Sequence, residues 1–227
     1  ESCEEIAEYF FRCCRDYFQE LGISETEYHS FLKNKTILEY GPGDVLGVAL
    51  LLYAYGAKSI HCIDRFPLSD DTDKCTDIYN ALLRLLDKKA YERASNVFIE
   101  TGNPKRGFKP DLISYSIKKN GLSGDIKKYD MIISRAVLEH VNDLESTIHD
   151  IQNALKSGGI SIHKVDLKSH GLDRYRDFDF LSWPVLMYNL MYSHKGFPNR
   201  WRVNKYLEII QESGLQLKSI TPTGKLD

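Results

Sequence analysis

Two groups of residues in this chain have types and spacings that could do chemistry. The first is Glu39, Gly41, Gly43 and Gly47, set as E-x-G-x-G-x-x-x-G, followed at a distance by Asp64. Glycines spaced this way let the backbone turn sharply and let a ligand approach main-chain atoms with no Cβ in the way. A carboxylate beyond them has two oxygens, enough to accept from both hydroxyls of a ribose diol. The second group is His163, Asp166 and His170, an H-x-x-D-x-x-x-H run. Two imidazoles and a carboxylate could hold a divalent metal. Alternatively, one His–Asp pair could act as a base with its orienter. His140 is a further imidazole that could take up a proton near neutral pH.

These residues need elements to position them, and the hydrophobic pattern supplies candidates. Ile37–Tyr40 reads as a short buried strand, Val45–Tyr55 as an apolar helix closed by Gly56, and Ser59–Ile63 as a second buried strand with Asp64 at its tip. The unit is βαβ, with a glycine turn after the first strand and an acid after the second, an arrangement that seats a nucleoside at the carboxyl ends of parallel strands. Further strands are expected at Leu112–Ile117, Tyr129–Ser134, Ile160–Val165 and Leu215–Ile220. Apolar residues at helical spacing predict helices over Glu4–Leu21, Ile78–Leu86 running on through Tyr91, Leu144–Leu155 and Val203–Ser213. Ser24 and Glu27 form a capping-box pattern that starts another helix through Phe31. Asn96–Asp111, rich in Gly, Pro and Lys, reads as exposed, and Ser157-Gly158-Gly159 as a helix stop. The strand–helix alternation predicts parallel pairing with right-handed crossovers.

A dinucleotide site usually reads G-x-G-x-x-G beside a pyrophosphate. Here the third glycine falls one residue later and Glu39 precedes the turn, which suits a ligand carrying an ammonium group better than a pyrophosphate. With that motif, and with D-M-I-I-S followed by L-E-H-V at Asp130–Val141, the chain resembles the class I S-adenosylmethionine-dependent methyltransferases. The resemblance implies a Rossmann-like, doubly wound, mostly parallel α/β sheet in the order 3-2-1-4-5, with Leu215–Ile220 as an added edge strand. It implies S-adenosylmethionine as cofactor, held by Glu39, Tyr40, Gly41, Pro42, Gly43, Gly47, Asp64, Arg65, Ser134 and Arg135. In that scheme Asp64 takes the ribose, Arg65 flanks the adenine, and Ser134 and Arg135 lie along the cofactor. An acid or amide near the adenine has no clear match; Asp125 is the candidate. The H-x-x-D-L-x-x-H-G run and the later N-R-W-R-V-x-x-Y are similar to bacterial methyltransferases tied to glycans or small metabolites. The implied reaction is methyl transfer to a small-molecule or glycan acceptor, with a hydroxyl oxygen favoured. The competing readings are a nicotinamide-dependent oxidoreductase and a non-catalytic scaffold of the same fold. For catalysis the candidates are His163, Asp166, His170 and His140. A metal-free base at His163, oriented by Asp166, is preferred to a metal site, because the spacing straddles a strand end and a loop rather than one helix face.

Composition limits the partners. With 30 Lys and Arg against 32 Asp and Glu, the net charge is −2, and no dense basic block marks a nucleic-acid footprint. The fourth strand runs into S-R-A-V, without the D-P-P-Y type of motif used to methylate DNA amines. No apolar run is long enough to span a bilayer, so no membrane partner is expected. Five cysteines without C-x-x-C pairing suggest reduced thiols in a cytoplasmic protein. The whole chain is expected to form one domain, with residues 1–35 as a helical cover. Residues 166–202 are expected to cap the acceptor site, being rich in aromatic side chains such as Tyr175, Phe178, Phe180, Trp183, Tyr188, Tyr192, Phe197 and Trp201.

Overall fold

Thr36–Tyr40 (β1) lies at the middle of the sheet, because its side chains are buried on both faces: Ile37 and Leu38 are wholly covered, and Glu39 and Tyr40 nearly so. It pairs in parallel with Ser59–Asp64 (β2) on one side and with Tyr129–Arg135 (β4) on the other. Ile113–Ile117 (β3) runs beside β2 and Leu155–Lys164 (β5) beside β4, both parallel. The order is therefore 3-2-1-4-5, as expected. The chain direction of assembly reverses between β1 and β4, which opens a crevice at the carboxyl ends of these strands. The computed structural model describes residues 1–69, 72–190 and 198–223. The aromatic positions Tyr192 and Phe197 lie outside the described residues.

Successive strand residues point to opposite faces. Ile37, Ile60, Cys62, Met131 and Ile133 face a layer made by Cys3–Glu20 (α1), Gly47–Ala54 (α3), Asp73–Leu85 (α4) and Lys88–Ser95 (α5). Leu38, Tyr40, Ile63 and Ile132 face the other layer, Leu144–Ala154 (α6) and Val203–Glu212 (α7). All eight residues of α3 are buried, as an all-apolar helix between a sheet and other helices must be. Tyr28–Leu32 (α2) follows the Ser24–Glu27 capping box, which is present, and α1 starts from a second one at Ser2 and Glu5.

Four expectations need correction. The helix from Ile78 does not reach Tyr91: Leu86 is extended, and the Asp87 side chain accepts from the Ala90 amide and starts α5 afresh. An N-cap bond of this kind satisfies an orphan donor, so the acid splits the helix. Within Asn96–Asp111, Val97 and Phe98 are fully buried, with the Phe98 ring stacked on Phe108 at 5.0 Å. Ser157-Gly158-Gly159 lies inside β5, as a bulge between the pairs Tyr129–Leu155 and Met131–Ile160. Leu215–Ile220 adds no strand; Leu217 and Ile220 stay about half exposed, and the segment is tied back by Ser219 and Thr221 hydroxyls on Glu20. Among the described residues no helix is long and apolar enough to cross a membrane.

Candidate functional site

The glycine turn leaves β1 at Gly41, whose amide donates to the Ile63 carbonyl at 2.8 Å and locks the turn to β2. Gly41 and Gly43 both have left-handed backbone, with φ of +60° and +83°. A Cβ at Gly41 would stand 2.4 Å from Val137 Cγ2, whereas nothing lies within 4 Å of a Cβ at Gly43. Gly43 thus leaves an open cradle against main-chain atoms, with Pro42 between the two glycines. Gly47 has another role. A Cβ there would meet the Phe10 ring at 2.4 Å, so the third glycine of the motif lets α1 pack on α3. The Tyr40 side chain is fixed by its hydroxyl on Asp150 of α6, leaving its backbone to border the turn.

Two acids flank this cradle. Asp64 Oδ1 accepts from the amides of Arg65 (2.6 Å) and Phe66 (3.2 Å), while Oδ2 carries no hydrogen bond among the described residues. Burial raises the Asp64 carboxyl, against the lowering effect of those amides. Glu39 is 6% exposed and has one weak contact, from Cys62 Sγ at 3.7 Å. Burial without a cation pushes its carboxyl up to about 7. An open cradle, a half-occupied carboxylate at a strand tip and a buried acid lacking a cation fit a nucleoside with an amino-acid tail.

The basic residues expected here are held by contacts within the fold. Arg65 crosses the strand ends to donate from Nη2 to the His140 carbonyl at 3.1 Å. Arg135 turns to α1, pairing with Asp16 at 2.8 Å, and Lys164 joins the same carboxylate at 2.9 Å. These two contacts pin α1 over the ends of β4 and β5. Asp125 precedes β4 and so lies at the opposite end of the sheet from Gly41; it accepts from the Tyr129 hydroxyl at 2.5 Å and is not placed to read an adenine.

Beyond β4 the chain turns at Ala136, with φ of +54°, into a 3-10 turn over Leu138–His140. Glu139 in this turn is 1% exposed; its Oε1 accepts from the Asp166 amide at 3.1 Å, and burial, outweighing that bond, pushes the carboxyl up to about 7. Asn199 clamps the turn by donating from its amide to the Glu139 carbonyl and from Nδ2 to the Leu138 carbonyl at 2.8 Å. Arg202 donates to the Leu167 carbonyl at 2.6 Å. The N-R-W-R-V segment therefore ties the turn after β4 to the segment after β5.

The H-x-x-D-x-x-x-H run does not act as one group. His163 Nδ1 bonds Ser134 Oγ at 2.7 Å, not Asp166, and its Nε2 is buried with no partner among the described residues. Burial lowers its pKa to about 4, so it is neutral at pH 7 and a weak proton acceptor. Asp166 and His170 instead border a cleft of about 340 Å3, shared with Lys168, Ser169, Asp173 and Asp177. His170 reaches His140, with ring centroids 4.9 Å apart. The convergent ligating atoms are those of Glu139, His140 and His170, within 4.8 Å of one another. Sequence reasoning missed Glu139 as a site residue; its signal was an acid next to a histidine in an otherwise apolar turn.

A parallel sheet in this order, with a glycine turn after β1 and an acid at the tip of β2, defines a nucleoside-binding α/β protein. The family model described as a methyltransferase domain matches residues 6–220, and the chain belongs to that family. It is a methyltransferase enzyme, and its cofactor is S-adenosylmethionine. The fold is shared with a Listeria monocytogenes protein described as an S-adenosylmethionine-dependent methyltransferase, at 20% identity and a TM-score of 0.51, over 84% of this chain and 82% of that one. It is also shared with a Galdieria sulphuraria protein described as a sarcosine dimethylglycine methyltransferase, at 16% identity and a TM-score of 0.53, over 92% of this chain and 63% of that one. No curated protein matches the chain at a significant level.

Proposed function

We propose that this methyltransferase acts on a hydroxyl oxygen of a small-molecule or glycan acceptor, seated in the cleft beyond β5 under a cap to which residues 166–190 and 198–202 contribute. The observation that carries this reading is the cleft itself: it opens at the carboxyl end of the sheet, and its lining of Asp166, Lys168, Ser169, Asp173 and Asp177 suits a hydroxyl-rich ligand. When bound, S-adenosylmethionine supplies a sulfonium methyl that leaves by in-line displacement, so the protein mainly has to align the acceptor. In this reading Gly41–Gly43, Glu39 and Asp64 hold the cofactor. Asp166 takes the acceptor's proton, because it borders the cleft while His163 has its Nε2 sealed from solvent and is weakly basic. Ser134 and His163, bonded to each other, support the site from the sheet, and Phe178, which lines the cleft, supplies an aromatic wall.

The test is a screen of polyols, sugars and phenols with methyl-labelled donor. An O-methyl ether is the expected product. Asp166→Asn is expected to lower turnover by about 100- to 10,000-fold, the usual contribution of a general base, with cofactor affinity retained. Methylation of amines or thiols alone, or full turnover in Asp166→Asn, would overturn the reading.

A further inference from the structure

Glu139, His140 and His170 come from two separate turns, one after β4 and one after β5, yet their ligating atoms lie within 4.8 Å of one another. Side chains from elsewhere in the fold hold backbone carbonyls of both turns. Asn199 and Arg65 hold the backbone of Leu138–His140, and Arg202 holds Leu167 on the other side. Glu139 is 1% exposed, and its Oε2 is buried with no partner among the described residues. A carboxylate oxygen sealed from water and left without a donor is costly, and native proteins normally supply it with a hydrogen-bond donor or a cation. No Lys or Arg is paired with Glu139 among the described residues; the imidazoles of His140 and His170 stand beside it, with the Asp166 carboxylate and the Tyr206 phenol also near.

We propose that Glu139, His140 and His170 form a binding site for a divalent first-row transition metal ion. One carboxylate and two imidazoles are borderline donors that suit Zn2+, Mn2+, Co2+ or Fe2+; Mg2+ and Ca2+ prefer an all-oxygen shell. Three protein ligands leave coordination positions open, as in metal sites that meet a substrate, and closed structural sites use four. The open side is the one His170 presents to the cleft, since His170 lines that cavity and is the exposed member of the three. Asp166 stands beside the site, its amide already bonded to Glu139 Oε1. That bond orients the carboxylate as the supporting shell of a metal centre does. The sequence favoured a metal-free site because the H-x-x-D-x-x-x-H spacing straddles a strand end and a loop; the fold separates His163 from His170 and brings Glu139 and His140 to His170 instead. The metal site stands independently of the acceptor reading, because it is tested without an acceptor.

The whole protein, stripped with chelator and dialysed, is titrated calorimetrically with Zn2+ and Mn2+. Metal content is measured after gel filtration, and Co2+ is followed by its visible absorption. The site predicts one equivalent of bound metal, visible bands from Co2+ with nitrogen ligands, and no displacement by excess Mg2+. Glu139→Gln keeps the shape and the bond from Asp166. His170→Asn suits the left-handed backbone at this position, where φ is +53°. Each is expected to weaken binding by about 100-fold or more, since loss of a supporting hydrogen bond alone reaches 10- to 100-fold. Both variants should keep the thermal melt and S-adenosylmethionine affinity of the parent, which shows that they fold. No stoichiometric binding by the parent, or unchanged binding in both folded variants, would overturn the assignment.

Discussion

Glu39 makes a prediction that ties the buried acid to the cofactor. Burial lifts its carboxyl from 4.5 to about 7, so in the free protein the ionised form costs roughly 3 kcal/mol at about 1.36 kcal/mol per unit. The folded chain therefore holds a proton more tightly than the unfolded chain does. Stability from this group is fully present below pH 4.5, declines as pH rises, and is gone once pH passes about 7. The ammonium of S-adenosylmethionine would need the ionised form. With a carboxyl near 7, the ionised fraction rises about tenfold between pH 6 and pH 8, and cofactor affinity should rise with it and level off above. Glu39→Gln should remove that pH dependence and weaken binding at pH 8 by about 1.5–3 kcal/mol, the size of a hydrogen bond to a charged group. The same substitution should stabilise the free protein at pH 8 and not at pH 5. Calorimetry at pH 6, 7 and 8 with S-adenosylmethionine and its demethylated product measures the first effect, and thermal melts measure the second. Glu139 and Asp64 are also raised, so the substitution is needed to assign the titration to Glu39. Equal affinity at pH 6 and pH 8, together with a Glu39→Gln variant that binds like the parent, would refute the reasoning.

Gly47→Ala should destabilise the fold by about 1–2 kcal/mol, because overpacking against Phe10 costs about 1–3 kcal/mol and outweighs the gain in helix propensity. A thermal melt unchanged from the parent would mean that Phe10 moves aside, and adding Phe10→Leu should recover part of any loss. Asp16→Asn removes the partner of both Arg135 and Lys164; because that carboxylate is 38% exposed, the loss should be about 0.5–1 kcal/mol and should shrink in high salt. A loss that salt does not change would contradict an ionic origin.

The βαβ unit could be read from the sequence because three signals coincide there: an apolar run, glycines where the chain must turn, and an acid at the next strand tip. Ile37–Tyr40 carries apolar side chains for both faces, which fits only a central strand. Other features were hidden because they depend on contacts made across the fold. Gly47 belongs to the motif by spacing, but its space is taken by Phe10 from a helix far away in the chain. Arg135 ends β4, where a cofactor-lining residue would stand, yet the sequence does not reveal that Asp16 waits for it on α1. Asp87 was overlooked as a helix start because the apolar period runs across it, and the cap bond overrides the period. In Leu215–Ile220 the alternation was real, but no sheet partner covers it. The H-x-x-D-x-x-x-H run misled most, since nearness in sequence stood in for nearness in space. His163 faces Ser134, while His170 meets His140 across two turns.

The most direct test of the site is calorimetric titration of S-adenosylmethionine into the parent, Asp64→Ala and Gly43→Val. The parent should bind one equivalent. Asp64→Ala should lose about 1.5–3 kcal/mol, the size expected for a charged hydrogen-bond partner with a free oxygen at the strand tip. Gly43→Val should lose at least as much, because a branched side chain would stand in the open cradle on a left-handed backbone. Unchanged affinity in both folded variants would place the cofactor elsewhere and contradict the account.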